Sequence, residues 1–587
     1  MLRSHSSNKD YKTEKRESTS HSNSLSNDDE ISLIKVKTNS DEKTGLKYEL
    51  KARHLSLMAL AGIIGPGITV SASLALINGP AALLISFVVV GFVALCMMQS
   101  LGELVTTFPT GGTFSSLGVK LVDEAFGFTV GWYYVIIWVF TLSSEYNATS
   151  SVFQFWSGDK VPLYAYVLML WFVFSIFQVV MGVGLFGEIE FYLALFKIIG
   201  LCAFYIFSIV YCAGGIRGHK AFGFQYWKNP GPFANGFPSF VKCLIFASQF
   251  YSGTEIVAIT ASEAANPSKA VPSAIRQTFW RILLIYVGIA LSYGITVPYN
   301  DPDLRRDGLL RSPMSIAIAR AGWPAGVHLV NAFIIVICIS AINSSIYTGS
   351  RTVLQLAHEG FAPKFFRKVT KRGIPIPAIM FVNTIGLIAM MNQSTNAANA
   401  YSYIINISGV AVFIVWGSVC FYHIRFRQAM KKQNRSIDEL VFKGLWYPIL
   451  PLIGLILNII LTLIQGYSYF KPFQAGDWVD AYILIPFFFL MYFGFKIWKR
   501  TKWVHLQDVD LDSGRRQDYY DTSPSNKLKE KLKTNILFKK GKHNDDHDIK
   551  LDVGEIESRE IEKPSKLKNL HPYRLFRQKS NSELDTF

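Results

Sequence analysis

"AGIIGPGITV", residues Ala61–Val70, sits inside a run from Leu55 to Ile77 that holds no charged residue. Such a run is long enough to cross the hydrocarbon of a bilayer as one helix. Yet it is interrupted at its centre. Pro66 removes a backbone donor, and Gly62, Gly65 and Gly67 weaken the helix around it. In hydrocarbon an unpaired amide or carbonyl costs several kcal/mol. A break at that depth persists only where protein, water or a ligand takes up the exposed groups. Small residues also serve close helix packing, but Gly-Pro-Gly interrupts the hydrogen-bond ladder as well. Freed amides at a half-helix start suit a carboxylate, and freed carbonyls suit an ammonium. Both together suit a zwitterion.

Outward from this stretch the chain reads as a membrane protein. Of 587 residues, 50% are hydrophobic and only 17% charged, against roughly a quarter charged in soluble domains. Apolar runs recur near 55–77, 81–101, 128–150, 161–181, 191–212, 238–260, 280–297, 326–347, 376–391, 402–422, 446–466 and 479–498, which predicts twelve membrane-spanning helices. The formal charge of +17 is denser in one set of connections, such as Lys364–Arg372 and Arg425–Lys443. That asymmetry predicts both termini on the cytoplasmic side and argues against a nucleic-acid site. Residues 1–53 and 501–587 are polar and charged, which predicts a disordered N-terminal tail and a mostly disordered C-terminal tail on either side of a transporter domain, 54–500. These tails are the expected place for cytosolic trafficking or ubiquitylation machinery. The six cysteines lack metal-ligand spacing and read as small hydrophobes.

A second interruption matches the first. The sixth run carries "FYSGTE" (Phe250–Glu255) in mid-span. Breaks in the first helices of two five-helix units predict an inverted repeat, with a binding site between helices 1 and 6. Ionisable residues inside spans are functional candidates by default, and three stand out: Glu145, Lys197 in "LALFKIIG", and Glu255 directly after the second break. For Glu145, near a span end, a buried ion pair is an equal reading. Two motif matches carry no weight. "GVGLFG" (Gly182–Gly187) follows no strand, so it is no nucleotide fingerprint, and His358-Glu359 lacks the second histidine of a zinc protease. No cofactor is implied.

Four blocks in order carry a resemblance: "NGPAALLISFVVVGFVALCMMQSLGELVTTFP" (Asn78–Pro109), "SGTEIVAITASEAANPSKAVPSAIRQTFWRI" (Ser252–Ile282), "NSSIYTGSRTVLQLAHEGFAPKFF" (Asn343–Phe366) and "WGSVCFYHIRFRQAM" (Trp416–Met430). The chain resembles the fungal amino-acid permeases of the amino acid–polyamine–organocation superfamily over residues 45–500. Glu145–Trp156 and Gly223–Trp227 carry a further resemblance to the yeast general amino-acid permeases. The resemblance implies an all-α membrane fold of twelve helices, ten of them in two inverted five-helix repeats with helices 1 and 6 broken. It implies proton-coupled import of amino acids at the plasma membrane, with the lipid bilayer, an amino acid and a proton as partners. Ile64, Gly65, Pro66 and Gly67 then face the substrate carboxylate. Phe250, Tyr251, Ser252, Gly253, Thr254 and Asn343 complete the substrate site, and Gln249, Phe250 and Tyr251 form the gate. Lys197, Glu255 and Glu145 become the proton-coupling candidates. Two positions depart from the family pattern. Pro66 replaces a threonine and removes a carboxylate donor, and Gln249 replaces an aromatic gate. The alternatives are an amino-acid sensor of transporter fold, and a permease for a polyamine or amino-acid conjugate.

Overall fold

Among the described residues helices alone build the architecture, because at bilayer depth each backbone amide must find its partner within its own segment. The computed structural model describes residues 64–109, 113–180, 183–256, 267–304, 311–393, 397–470 and 473–515. The N-terminal tail, the first part of the first apolar run (55–63) and residues 516–587 lie outside the described residues. No β-strand occurs among those described.

In chain order the elements are α1 (Gly67–Leu76), α2 (Pro80–Thr107), α3 (Phe114–Leu121), α4 (Glu124–Ser157), α5 (Leu163–Val180), α6 (Val183–Cys212) and α7 (Phe237–Tyr251). They continue with α8 (Pro267–Arg281), α9 (Leu284–Thr296), α10 (Pro313–Arg320), α11 (Pro324–Glu359), α12 (Ile376–Ile385), α13 (Ala397–Lys432) and α14 (Ile449–Ile464). The last are α15 (Ala475–Tyr482) and α16 (Leu484–Lys499). Among the described residues six helices are long and apolar enough to cross a membrane, or seven if α15 and α16, bent by 43°, form one span. The other apolar windows correspond to shorter helices, among them α1, α9 and α14. The outward faces are apolar: Phe172, Ile176 and Val180 on α5, and Ile199, Ile206 and Ile209 on α6, are exposed at helical spacing, as lipid contact requires.

Around the long α4 the bundle closes. It packs most extensively on α11 and α13 and also against α3, while α2 lies against α7. Asp123 caps α4, accepting from Phe126 N–H at 2.7 Å, an arrangement worth about 1 kcal/mol. The helix carries a dense polar run that would be costly in lipid, but its hydroxyls return to the backbone one turn earlier. Ser143 donates to Val139 O, Thr149 to Glu145 O and Ser150 to Tyr146 O, at 2.9, 2.6 and 2.7 Å. Five of the cysteines are buried as expected of small hydrophobes, whereas Cys202 is exposed on the outer face of α6.

Two features tie distant segments. Glu103 near the end of α2 is fully buried and takes Arg427 of α13 on both oxygens, at 2.5 and 2.8 Å. His423 Nε2 lies 3.0 Å from the same carboxylate, and Gly444 N–H donates to it at 2.7 Å. The second tie is the segment Thr501–Arg515, part of the expected tail, which returns across α3 and α13. Val504 N–H donates to Val122 O at 2.8 Å, while Arg425 donates to both Leu121 O and Val504 O. Gln433 holds Leu506 O and Val509 O, and Lys120 reaches Ser513 O at 2.6 Å. Val509 and Leu511 are buried in the main core.

Candidate functional site

Two interruptions of the backbone meet at one cavity. At the first, a bend at Ile64–Gly65 leads into Pro66, which has helical angles and caps α1 with no side-chain hydrogen bond. A helix start leaves its first amides without intrahelical acceptors. Gly67–Ser71 wind as a π-helix, whose carbonyls find partners outside the helix: Tyr293 donates to Ile68 O at 3.0 Å, and Ser312 donates to Thr69 O.

At the second interruption α7 stops at Tyr251. Ser252 leaves the helix (φ −56°, ψ 134°), and Gly253 takes φ +108°, a backbone shape that favours glycine. Glu255 then folds back over the turn. Gly253 N–H donates to its carboxylate at 3.2 Å, and the Thr254 hydroxyl does so at 3.2 Å. The acid thus satisfies the donors that the broken helix exposes.

Gly65, Pro66, Gly67 and Ile68 form one wall of the cavity, with Gln249, Phe250 and Ser252 opposite. Trp138, Thr141, Ser144 and Glu145 of α4 and Ala341, Ser344 and Ser345 of α11 complete it. Its volume is about 30 Å³, room for about two waters and less than any amino acid needs. Phe250 accounts for the tightness: a Cβ added at Gly67 would stand 2.4 Å from its Cδ1. Gln249 ties three helices at the cavity edge, donating to Thr141 Oγ1 at 2.7 Å and accepting from Ser408 of α13. Three oxygens of the cavity lining are buried without a hydrogen bond of normal geometry: Ser252 Oγ, Ser345 Oγ and Glu145 Oε2.

The expected residues divide by position. Gly65, Pro66, Gly67, Gln249, Phe250, Ser252 and Glu145 line the cavity. Tyr251 points elsewhere, donating to Phe87 O at 2.9 Å and stacking on Tyr286 at 3.7 Å. Tyr286 in turn donates to the Phe250 carbonyl at 2.6 Å. Ile64 is fully buried in the core, while Gly253 and Thr254 serve the turn. Asn343 donates to Glu190 at 2.7 Å and accepts from Gln178 at 2.6 Å. Lys197 is fully buried beside Glu190, Glu145 and Cys338. Glu190 and the α4 and α11 lining residues other than Glu145 are additions to the sequence reading. A signal for the linings existed: Trp138, Thr141 and Glu145, and likewise Ala341, Ser344 and Ser345, each fall on one helical face.

The profile of the amino acid permease family matches residues 54–507. The chain is 53% identical over 482 residues to the general amino acid permease AGP3 of Saccharomyces cerevisiae, covering 81% of this chain and 86% of that protein. An uncharacterized amino-acid permease of Schizosaccharomyces pombe is 46% identical, with 82% and 89% covered. A basic amino-acid permease of Saccharomyces cerevisiae is 37% identical, with 81% and 85% covered.

Proposed function

Because this chain belongs to the amino acid permease family, and so is a membrane transporter of amino acids and not an enzyme, we propose that it is a proton-coupled importer whose substrate sits between the two backbone interruptions. The observation that carries this is the shared cavity: the start of α1 faces the end of α7 across a small polar space that contains Glu145. In this reading the amides after Pro66 take the substrate carboxylate. The Ser252 hydroxyl and carbonyls at the end of α7 take the ammonium. Phe250, closed over Gly67, withdraws to admit substrate, and Gln249 braces the closed arrangement. Glu145 carries the proton, Lys197 is part of the same charge cluster, and Glu255 holds the turn on which the ammonium site depends.

The architecture proposed with it is twelve spans, ten of them in two inverted five-helix units that begin with α1 and α7. Both termini are cytoplasmic, the plasma membrane is the working location, and the tails are open to trafficking or ubiquitylation machinery. Uptake of a radiolabelled amino-acid panel in a permease-deficient fungal strain, at several external pH values, tests the reading. Accumulation that rises with the inward proton gradient is expected. Uptake without accumulation, or accumulation indifferent to that gradient, overturns the coupling. A second reading, a cationic amine or basic amino acid as preferred substrate, draws on Glu145 as the carboxylate among the lining residues. Lysine, arginine and spermidine in the same panel separate the two.

A further inference from the structure

Seven residues before Lys197, in "GEIEFYLALFK" (Gly187–Lys197), stands Glu190. Seven residues are about two helical turns, so the two side chains share one face of α6. Both are fully buried. Every hydrogen bond into the Glu190 carboxylate comes from a donor. Ser340 Oγ donates to Oε2 at 2.6 Å, and Asn343 Nδ2 donates to Oε1 at 2.7 Å. The amide of Asn343 cannot be turned round, because its Oδ1 already accepts from Gln178 Nε2 at 2.6 Å. The amide on Oε1 suits an ionised oxygen, since a proton there would face another donor, while the Ser340 hydroxyl on Oε2 can turn to donate or accept.

Glu145 is surrounded differently. Its Oε2 is buried without a hydrogen bond of normal geometry, the Ser345 hydroxyl faces the carboxyl, and Glu145 lines the substrate cavity. The groups facing this cluster are Lys197 and Glu190 from α6, Cys338 from α11, and Tyr146 beside Glu145 on α4. The thiol and phenol are neutral, so among the described residues the cluster holds one cation and two carboxyl groups. Of the two, Glu190 stands on the same face of α6 as Lys197, two turns away, and Glu145 stands on α4. One carboxylate neutralises the lysine. The other is left as an uncompensated buried charge, costly unless a proton removes it.

We propose that Glu190 is the fixed counter-ion of Lys197: a positioning residue that keeps the lysine a permanent cation and leaves Glu145 as the group whose charge changes during transport. Glu145 takes its proton from water on one side of the membrane and returns it to water on the other, and no other bond forms or breaks. The proposal rests on the proton-coupled reading above.

The test compares Glu190→Gln, Lys197→Met and the double variant in cells, each normalised to surface protein. Two readouts are taken: accumulation of a radiolabelled amino acid driven by a pH gradient, and exchange of substrate without a gradient. Each single variant leaves one buried charge unpaired and is expected to lower accumulation by about tenfold or more. The double variant removes the pair as a unit and is expected to recover accumulation to within about threefold of wild type. Glu145→Gln is expected to exchange substrate but not to accumulate it. A double variant as uncoupled as Lys197→Met, or a Glu190→Gln variant that behaves as wild type, overturns the pairing. Should a single variant fail to reach the membrane, recovery of both surface protein and accumulation in the double variant reads the same pairing, and failure there overturns it. A wild-type protein that does not accumulate with the gradient instead overturns the proton-coupled reading itself, so the two failures are distinct.

Discussion

Gly67→Ala is the smallest change that reaches the proposed gate. The added Cβ would stand 2.4 Å from Phe250 Cδ1 and 2.9 Å from Cε1, whereas carbons at optimal contact are about 3.5–4.0 Å apart. The ring must therefore move by about 1 Å or more. It has little freedom to do so, because it packs against Phe87 and Phe246 with centroids 6.0 and 6.4 Å away, and its own carbonyl is held by Tyr286. Overpacking of this kind costs about 1–3 kcal/mol. If that cost falls on the arrangement with Phe250 over Gly67, its population drops roughly 5- to 150-fold relative to arrangements in which the ring has swung away. In the proposed cycle transport passes through the closed arrangement, so initial uptake, normalised to surface protein, is expected to fall by a comparable factor. Phe250→Leu replaces the ring with a smaller aliphatic side chain and should restore most of the uptake in the Gly67→Ala background. Normal uptake by Gly67→Ala refutes the reasoning. So does an equal loss in the double variant, which would mean that residue 67 must stay bare because the substrate itself approaches it.

Pro66→Thr returns an N–H to the start of α1, and a hydrogen bond to a charged group is worth roughly 1.5–3 kcal/mol. Competition assays are expected to show simple α-amino acids binding about tenfold tighter, and unchanged affinity would mean that the carboxylate does not meet residue 66. Arg427→Ala leaves the buried Glu103 without its two-oxygen partner, a loss of about 3–5 kcal/mol. A marked fall in the thermal stability of solubilised protein is expected, with a smaller fall for the Glu103→Gln/Arg427→Gln pair. Glu255→Gln keeps an acceptor for Gly253 N–H and should retain pH-driven accumulation. Glu255→Ala exposes that donor, at about 1–3 kcal/mol, and should lose stability and uptake together. Loss of the pH dependence in Glu255→Gln alone would make Glu255 a proton carrier.

Much of this arrangement was legible in the sequence because the bilayer leaves few options. Charge-free runs announce helices, and Gly-Pro-Gly and Ser-Gly-Thr announce the places where two of them stop. Neighbours were harder to separate. Phe250 and Tyr251 are adjacent, but one residue is a rotation of about 100° on a helix, so one ring faces the cavity and the other the Phe87 cluster. Asn343 and Ser344 divide in the same way between Glu190 and the cavity. Glu190 escaped notice because "GEIEF" reads as the polar edge of a span. Only the packing of α11 across it, with Ser340 and Asn343, reveals that it is interior. Glu255 was conspicuous as a charge in a membrane segment, yet its partners are the amide and hydroxyl of its own turn, a contact that depends on the positive φ of Gly253.

The segment Thr501–Arg515 has a thermodynamic meaning beyond its contacts. Arg425 can hold Leu121 O and Val504 O together only while α3, α13 and this segment stay within a hydrogen bond of one another. Docking of the segment and the relative placement of α3 and α13 are therefore a single linked equilibrium. Reciprocity makes the linkage two-way. An arrangement of the bundle that parts α3 from α13 releases the segment, and whatever draws the segment away favours that arrangement by the same factor. Chemistry that acts on the chain beyond Arg515 thereby has a lever on the bundle without touching substrate, proton or cavity.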